Sequence, residues 1–239
     1  MIRYDLIAFD LDGTLIETAP EITDAVNDTL LGRGWRPVAL AEVESWIGQG
    51  THELLTQALA SAWRVTAEQV RSDPRLATVS REFNQHYERR CGTRSHPYPH
   101  VVETLRALRQ RGTRLAVVTN KEQRYAMAVL VAHNLVDLFD CIVAGDTLST
   151  KKPDPAGLLH CLTHCDTSAQ HALFIGDSSI DAATARNAGV AVWLVAHGYN
   201  HGQPPSRCAP DRVLSNFFEV DVALSSAHRG QAQVESSDA

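Results

Sequence analysis

Short apolar runs, each stopped by polar residues, recur along the chain. The first falls within residues 5–9, inside "YDLIAFDLDGTLIET" at 4–18. Others are "RLAVVTN" at 114–120, "CIVAG" at 141–145, "HALFIGD" at 171–177 and "VAVWLV" at 190–195. A last short one lies in "DRVLS" at 211–215. Runs of this length without alternation predict strands covered on both faces, the habit of a parallel sheet. Between them the apolar positions change to helical spacing. Val101, Leu105 and Leu108 define one helix, Met127 and Leu130 another, and Leu158 and Leu162 a third. A fourth ends near Gly189. Helices alternating with apolar strands predict an α/β fold: a doubly wound, Rossmann-like parallel sheet with helices on both faces.

One stretch breaks the rhythm. From about residue 16 to 94 no convincing strand is visible, while Ile22, Ala25, Val26 and Thr29 follow a helical period. So do Leu54, Leu55, Ala58 and Leu59, with Thr51 as a candidate cap. "CGTRSHPYP" at 91–99 is rich in turn formers and reads as a return linker. The expected organisation is a Rossmann-like core from residues 1–15 and 95–224, interrupted by an inserted all-helical cap over 16–94. The segment 225–239 has almost no apolar content and is expected to be disordered.

Bulk properties narrow the picture. The 239 residues, 44% hydrophobic and 21% charged, are enough to bury a sizeable core without disulfides. A formal charge of −6 argues against broad nucleic-acid binding, which needs a basic surface. It leaves room for a small anionic substrate, because local charge governs a pocket. Cys91, Cys141, Cys161, Cys165 and Cys208 are odd in number and irregularly spaced, which points to a reducing compartment. Asp5 interrupts the first apolar run, so no signal peptide is read there. No apolar stretch approaches the roughly 20 residues of a membrane span. The expectation is a cytoplasmic protein without membrane partners, monomeric or homodimeric.

In an open α/β sheet ligands bind beyond the carboxyl ends of the strands. The run at 5–9 delivers Asp10 and Asp12 there, and the run at 114–120 delivers Thr119 and Asn120. The run at 171–177 delivers Asp177, with Asp181 four residues on, and Lys151 and Lys152 follow the run at 141–145. These types suit phosphoryl transfer. Asp10 can attack phosphorus and form an aspartyl-phosphate. Asp12 can protonate the leaving alkoxide and then help deprotonate water. Asp10, Asp177 and the backbone carbonyl of Asp12 offer the oxygen ligands of a hard cation such as Mg²⁺. Its charge would relieve the repulsion within the Asp10–Asp12 pair. Thr119 can donate to a phosphoryl oxygen, Lys152 can neutralise its charge, and Gly13 permits close backbone approach.

"DLDGT", "VVTNK", "KKPDP" and "GDSSIDAATARNAG" resemble, in order, the four motifs of the haloacid dehalogenase superfamily of phosphatases. The resemblance spans residues 5–224, with the helical insertion placed like that family's cap. It implies Asp10 as nucleophile, Asp12 as acid and base, Thr119 on phosphate, Lys152 beside it, and Asp177 on Mg²⁺. Asp181 looks like the second acid of the last motif, reaching the metal through water. "WIGQG" at 46–50, "AGDTLSTKKPDP" at 144–155 and "HGYNHGQP" at 197–204 resemble phosphoglycolate phosphatases more narrowly. That implies a small phosphorylated metabolite, 2-phosphoglycolate, as substrate. His100 departs from the pattern, since the family commonly has Gly after "YP".

Several residues carry a plainer alternative. Gly48 and Gly50 read as a break between helices or as a cap loop over the site, with Gln49, Thr51 and His52 as its substrate contacts. Lys151 reads as a solvated partner of Lys152. "HCLTHC" at 160–165 spaces His160 with His164 and Cys161 with Cys165 as zinc ligands might be, but Leu158, Cys161, Leu162 and Cys165 form a core-facing stripe. His197 and His201 are pocket-rim or structural residues. Rival functions are another small-metabolite phosphatase, a pyrophosphatase, a sugar phosphomutase, or a non-enzymatic phospho-receiver or binding protein.

Overall fold

The computed structural model describes residues 4–224, so the expectation of a disordered tail lies outside the described residues. Six strands form a parallel sheet: β1 (Leu6–Phe9), β4 (Arg114–Val118), β5 (Cys141–Val143), β6 (Ala172–Gly176), β7 (Ala191–Val195) and β8 (Arg212–Leu214). Their spatial order is β5-β4-β1-β6-β7-β8, with every neighbouring pair parallel. The order reverses at β1, so the crevice at its carboxyl end lies between β4 and β6, where ligands of such sheets bind.

The continuous apolar runs have their cause in the two faces of this sheet. Ile7, Phe9, Leu115, Val117, Leu173 and Ile175 pack into one hydrophobic cluster. Leu6, Ala8, Ala116, Val118, Ala172 and Phe174 pack into a second on the opposite face. Successive side chains point to opposite faces, and both faces are covered, so no position is left for a polar residue. The crossover helices are α6 (Val101–Gln110), α7 (Gln123–Ala132), α8 (Ala156–His164) and α9 (Ser179–Ala188). Helix α9 ends where Gly189 takes φ +68°, the left-handed stop that glycine makes without penalty. A helical segment at 218–224 follows β8, and Phe217, Val220 and Leu224 bury against the first cluster.

Helices α1 (Ala19–Gly32), α2 (Leu40–Trp46), α3 (Thr51–Trp63), α4 (Ala67–Arg71) and α5 (Leu76–Arg90) lie between β1 and α6 in the chain. They pack around a third hydrophobic cluster, which Tyr125 of α7 and Tyr199 enter from the sheet-bearing part of the chain. On α5 the buried stripe is Leu76, Val79, Phe83 and Tyr87, spaced three or four apart along one face. Two details depart from the sequence expectations. A two-residue strand, β2 (Ile16–Glu17), pairs antiparallel with β3 (His96–Pro97), inside stretches read as strandless and as linker. Such a ribbon is too short to leave a periodic signal; pairing between distant segments creates it. Thr51 does not cap α3 either. Gly50, at φ +93°, holds the cap position, and the Thr51 hydroxyl donates to Glu122 Oε1 at 2.7 Å.

Among the described residues no helix is long and apolar enough to cross a membrane. The five cysteines are free thiols. Cys161 and Cys165 are buried on α8 and just beyond it, while His160 and His164 are exposed. Leu158, Cys161, Leu162 and Cys165 all pack into the second cluster, as the core-stripe reading expects.

Candidate active site

The site forms where β1, β4 and β6 end. Strand pairing continues one residue past β1, as Asp10 N–H donates to Ile175 O at 2.9 Å, which sets Asp10 beside the end of β6. The chain then turns tightly: the N–H groups of Leu15 and Ile16 both return to Leu11 O at 3.0 and 3.1 Å. Gly13 sits within this turn at φ +84°. A Cβ there would come within 2.6 Å of Asp177 Oδ2 and 2.7 Å of the Tyr199 ring, so only glycine fits. Gly198 makes the same allowance from the other side, since its Cβ would lie 2.1 Å from that of Asp177.

Lys152 is the hub. Its Nζ lies 2.7 Å from Asp10 Oδ1 and 2.7 Å from Asp181 Oδ1. The second contact is a directed hydrogen bond, whereas the first is an ion contact. Asp181 Oδ2 accepts from the N–H groups of Asp177 and Ser178 at 3.2 and 3.1 Å and from Ser178 Oγ at 2.7 Å. Asp181 thereby closes the first turn of α9 in the manner of a capping box. Asp177 Oδ2 accepts from Tyr199 N–H at 2.6 Å, and Thr14 Oγ1 donates to Oδ1 at 3.4 Å.

Asp10, Asp177 and Asp181 are all buried, each with an oxygen within 4.8 Å of the others. Within this group one ammonium faces three carboxylates. Burial pushes the Asp10 carboxyl up to about 6, with Lys152 opposing and Asp181 and Asp12 adding to the rise. Burial, then Asp181 and Asp10, push Asp177 well above the carboxylate range. Burial acts to raise Asp181 too, but Lys152, Ser178 and the Asp177 N–H outweigh it and hold that carboxyl low. Burial would lower Lys152, yet Asp10 and Asp181 keep it high. Lys152 is thus shared between Asp10 and Asp181, and Asp177 has no ammonium in contact, so without a cation its carboxyl holds a proton more tightly. An all-oxygen set of three clustered carboxyls beside one ammonium fits a hard divalent cation, which would displace that proton. Asp181 accepts four hydrogen bonds, one of them from an ammonium, whereas Asp177 accepts two, one of them long at 3.4 Å, so Asp10 and Asp177 have the freer oxygens.

The Asp12 side chain stands apart from that group. Its Oδ1 accepts from Thr18 Oγ1 at 2.7 Å and from Lys121 Nζ at 2.9 Å. Lys121 also donates to the Tyr87 hydroxyl, and only 1% of its side chain is exposed. Asp10, Asp12, Thr119, Asn120 and Lys121 line one side of a cavity of about 30 Å³. Gly48, Gly50, Thr51 and Leu54 close it from the helical insertion.

The remaining expected residues divide. Thr119 is buried at the cavity, and its Oγ1 accepts from Lys121 N–H at 3.3 Å, leaving its proton for a ligand. The Asn120 amide bridges the carbonyls of Gly48 and Lys152, both at 2.9 Å, so it joins the insertion to the core. Gln49 is exposed and docks through its carbonyl, which accepts from Lys151 Nζ at 2.8 Å. Thr51 reaches the cavity wall; Gln49 and His52 do not line it. His197 Nε2 is 3.3 Å from Thr14 O with its ring against Tyr98, and His201 Nδ1 is 2.7 Å from Ser45 O. Both histidines join segments outside the cavity lining.

Sequence reasoning assigned no role to Thr18, Tyr87, Lys121 or Tyr199. Lys121 and Tyr199 stood within quoted motifs. Neither residue type nor spacing told which groups they would meet, because their partners lie 109 and 181 positions away.

Comparison with known proteins agrees with this geometry. The haloacid dehalogenase-like hydrolase family matches residues 7–195. A phosphoglycolate phosphatase of Vibrio cholerae is 37% identical over 229 residues, covering 95% of this chain and all of its own length (100%). Phosphoglycolate phosphatase 1 of Pseudomonas aeruginosa is 36% identical, covering 90% of this chain and 78% of its own. A crystal structure from Haemophilus somnus, titled a predicted phosphoglycolate phosphatase, superposes with a TM-score of 0.85 at 31% identity, covering 92% of this chain and 97% of that one. The match takes in the sheet, the acids at its carboxyl edge and the helices set above them: this chain belongs to the haloacid dehalogenase-like hydrolases.

Proposed function

We propose that this hydrolase cleaves 2-phosphoglycolate to glycolate and phosphate through an aspartyl-phosphate on Asp10, with Mg²⁺ as its cofactor. The observation that carries this reading is the convergence of Asp10, Lys152 and Asp181 at 2.7 Å contacts, with Asp12 lining the same cavity. Asp10 and Asp177 would hold the metal directly, and Asp181 through water, because Lys152, Ser178 and the Asp177 N–H already crowd its oxygens with four hydrogen bonds. When bound, Mg²⁺ supplies positive charge against the phosphoryl oxygens and the carboxylates.

The residues divide the chemistry. A carboxylate oxygen of Asp10 attacks phosphorus as the bond to the leaving oxygen breaks. Asp12, protonated on the oxygen that Lys121 and Thr18 do not hold, gives its proton to the departing alkoxide. Water then attacks the same phosphorus, losing its proton to Asp12, and phosphate leaves a free Asp10. Lys152 offsets charge on Asp10 and the phosphoryl group, while Thr119 donates to a phosphoryl oxygen. The loop at 48–51 excludes bulk water, held by Asn120 and Lys151. Free thiols support a reducing, cytoplasmic setting.

Phosphate release from 2-phosphoglycolate, a sugar phosphate, an aryl phosphate and pyrophosphate, each with Mg²⁺ and with chelator, tests the proposal. The expected result is a large kcat/KM preference for 2-phosphoglycolate that chelator removes. Asp10→Asn is expected to lower turnover by roughly 10⁴-fold or more, as removal of a nucleophile does. Comparable rates on all four compounds would remove the named substrate. Full activity of the Asp10 variant would remove the nucleophile.

A further inference from the structure

We infer that Lys121 is the specificity residue of this site, a buried ammonium that binds a carboxylate on the part of the substrate distal to the phosphoryl group. The inference rests on the phosphomonoesterase reading above and deepens it.

Position comes first. Lys121 follows Thr119 by two residues, so the loop that places a hydroxyl toward the phosphoryl group also turns a cation into the cavity. Among the described residues, Lys121 is the one cation lining that space; Lys152 is held by Asp10 and Asp181, and Lys151 is exposed and bonded to Gln49 O. The wall from the insertion is apolar or small, with Ile22, Ile47, Gly48 and Leu54, apart from Thr51, whose hydroxyl donates to Glu122. Beside the reacting acids Asp10 and Asp12, an anionic ligand there finds Lys121 as its one cation among the lining residues.

Valence comes next. An ammonium has three protons to donate. Asp12 Oδ1 and the Tyr87 hydroxyl take two of them. With 1% of the side chain exposed, water does not freely serve the third. A buried charge is stable only when paired and fully hydrogen-bonded. Asp12 is its hydrogen-bonded counter-charge and Glu21 adds to the negative field around it, yet neither takes the third proton. A substrate carboxylate in the cavity would accept it. A substrate with no carboxylate would leave that proton without a charged acceptor, a larger loss than a missing contact on an apolar wall.

The test compares 2-phosphoglycolate with 2-hydroxyethyl phosphate, which replaces the carboxylate by a hydroxymethyl group. The readout is the ratio of their kcat/KM values in the wild type, in Lys121→Met and in Lys121→Gln, each checked for folding by circular dichroism. The Gln variant removes the charge while keeping an N–H donor on a side chain one atom shorter. The wild-type ratio is expected to favour 2-phosphoglycolate by roughly 100-fold or more, and both variants to bring it within about ten-fold of unity. A loss that strikes both compounds equally would show that Lys121 serves Asp12 alone and would overturn the inference. Equal turnover of the two compounds by the wild type would overturn it too, with the phosphomonoesterase reading intact. Turnover of neither compound by the wild type would remove that reading, and this inference with it.

Discussion

His100 stands at φ +69°, in the left-handed region where a Cβ crowds the next carbonyl. The departure noticed in the sequence, a histidine where glycine is expected, thus falls where backbone geometry favours glycine. Its ring lies 5.8 Å from that of Phe218, a loose contact on an exposed surface. His100→Gly is therefore expected to stabilise the protein by about 0.5–1 kcal/mol, the left-handed cost relieved less the added chain entropy. Urea unfolding measures this, and an unchanged or lower midpoint would show that the ring contact outweighs the strain. At the same scale, Asp10, Asp12, Lys152 and Asp177 were legible because few roles require such types at strand ends. Lys121 was not legible, because a lysine after "TN" reads as an ordinary solvated charge until the fold buries it.

At the scale of the element, helix α1 shows how local rules yield to the site. Thr18 stands at its N-cap but makes no capping bond. Its hydroxyl goes to Asp12 instead. The open donors of the first turn are met from elsewhere: the Tyr199 hydroxyl accepts from the N–H groups of Thr18 and Ala19, both at 3.0 Å. Pro20, the next residue, has no N–H to satisfy. Tyr199→Phe leaves those two donors buried without an acceptor and is expected to cost about 1–2 kcal/mol. Denaturant unfolding with an unchanged slope checks it, and a loss below about 0.3 kcal/mol would mean that water replaces the hydroxyl. The main strands and helices were readable from periodicity. The ribbon of β2 and β3 was not, because each strand has two residues and neither has a pattern of its own.

Over the whole molecule, charge is the organising quantity. The fold gathers Asp10, Asp177 and Asp181 with a single Lys152, and burial of the three carboxyls raises Asp10 and Asp177 in the metal-free protein, a cost that a bound cation would relieve. Mg²⁺ that binds only the folded state is expected to stabilise by about 2.7 kcal/mol at a hundred times its dissociation constant. For a chain of this size that is a rise in Tm of about 5–10 °C. Thermal melts with Mg²⁺ and with chelator measure it. The shift should vanish in Asp177→Asn; its persistence there would place the metal elsewhere. The closed arrangement belongs to this scale as well. Asn120, Lys151 and Glu122 on the core hold Gly48, Gln49 and Thr51 of the insertion, and these contacts bring the two parts of the chain together over the cavity.

The sequence by itself determined the sheet, its helices and the set of acids at its edge. These follow from local periodicity and from residue types that few other roles require. It also determined that the glycines and acids stand in the order of a known family. Only the tertiary structure decided which charges pair. Lys152 spans Asp10 and Asp181, Lys121 joins Asp12 to Tyr87, and Tyr199 caps a helix that begins 180 positions earlier. The physical reason is that hydrogen bonds and ion pairs act over a few ångströms of space, and the chain order records no such distance.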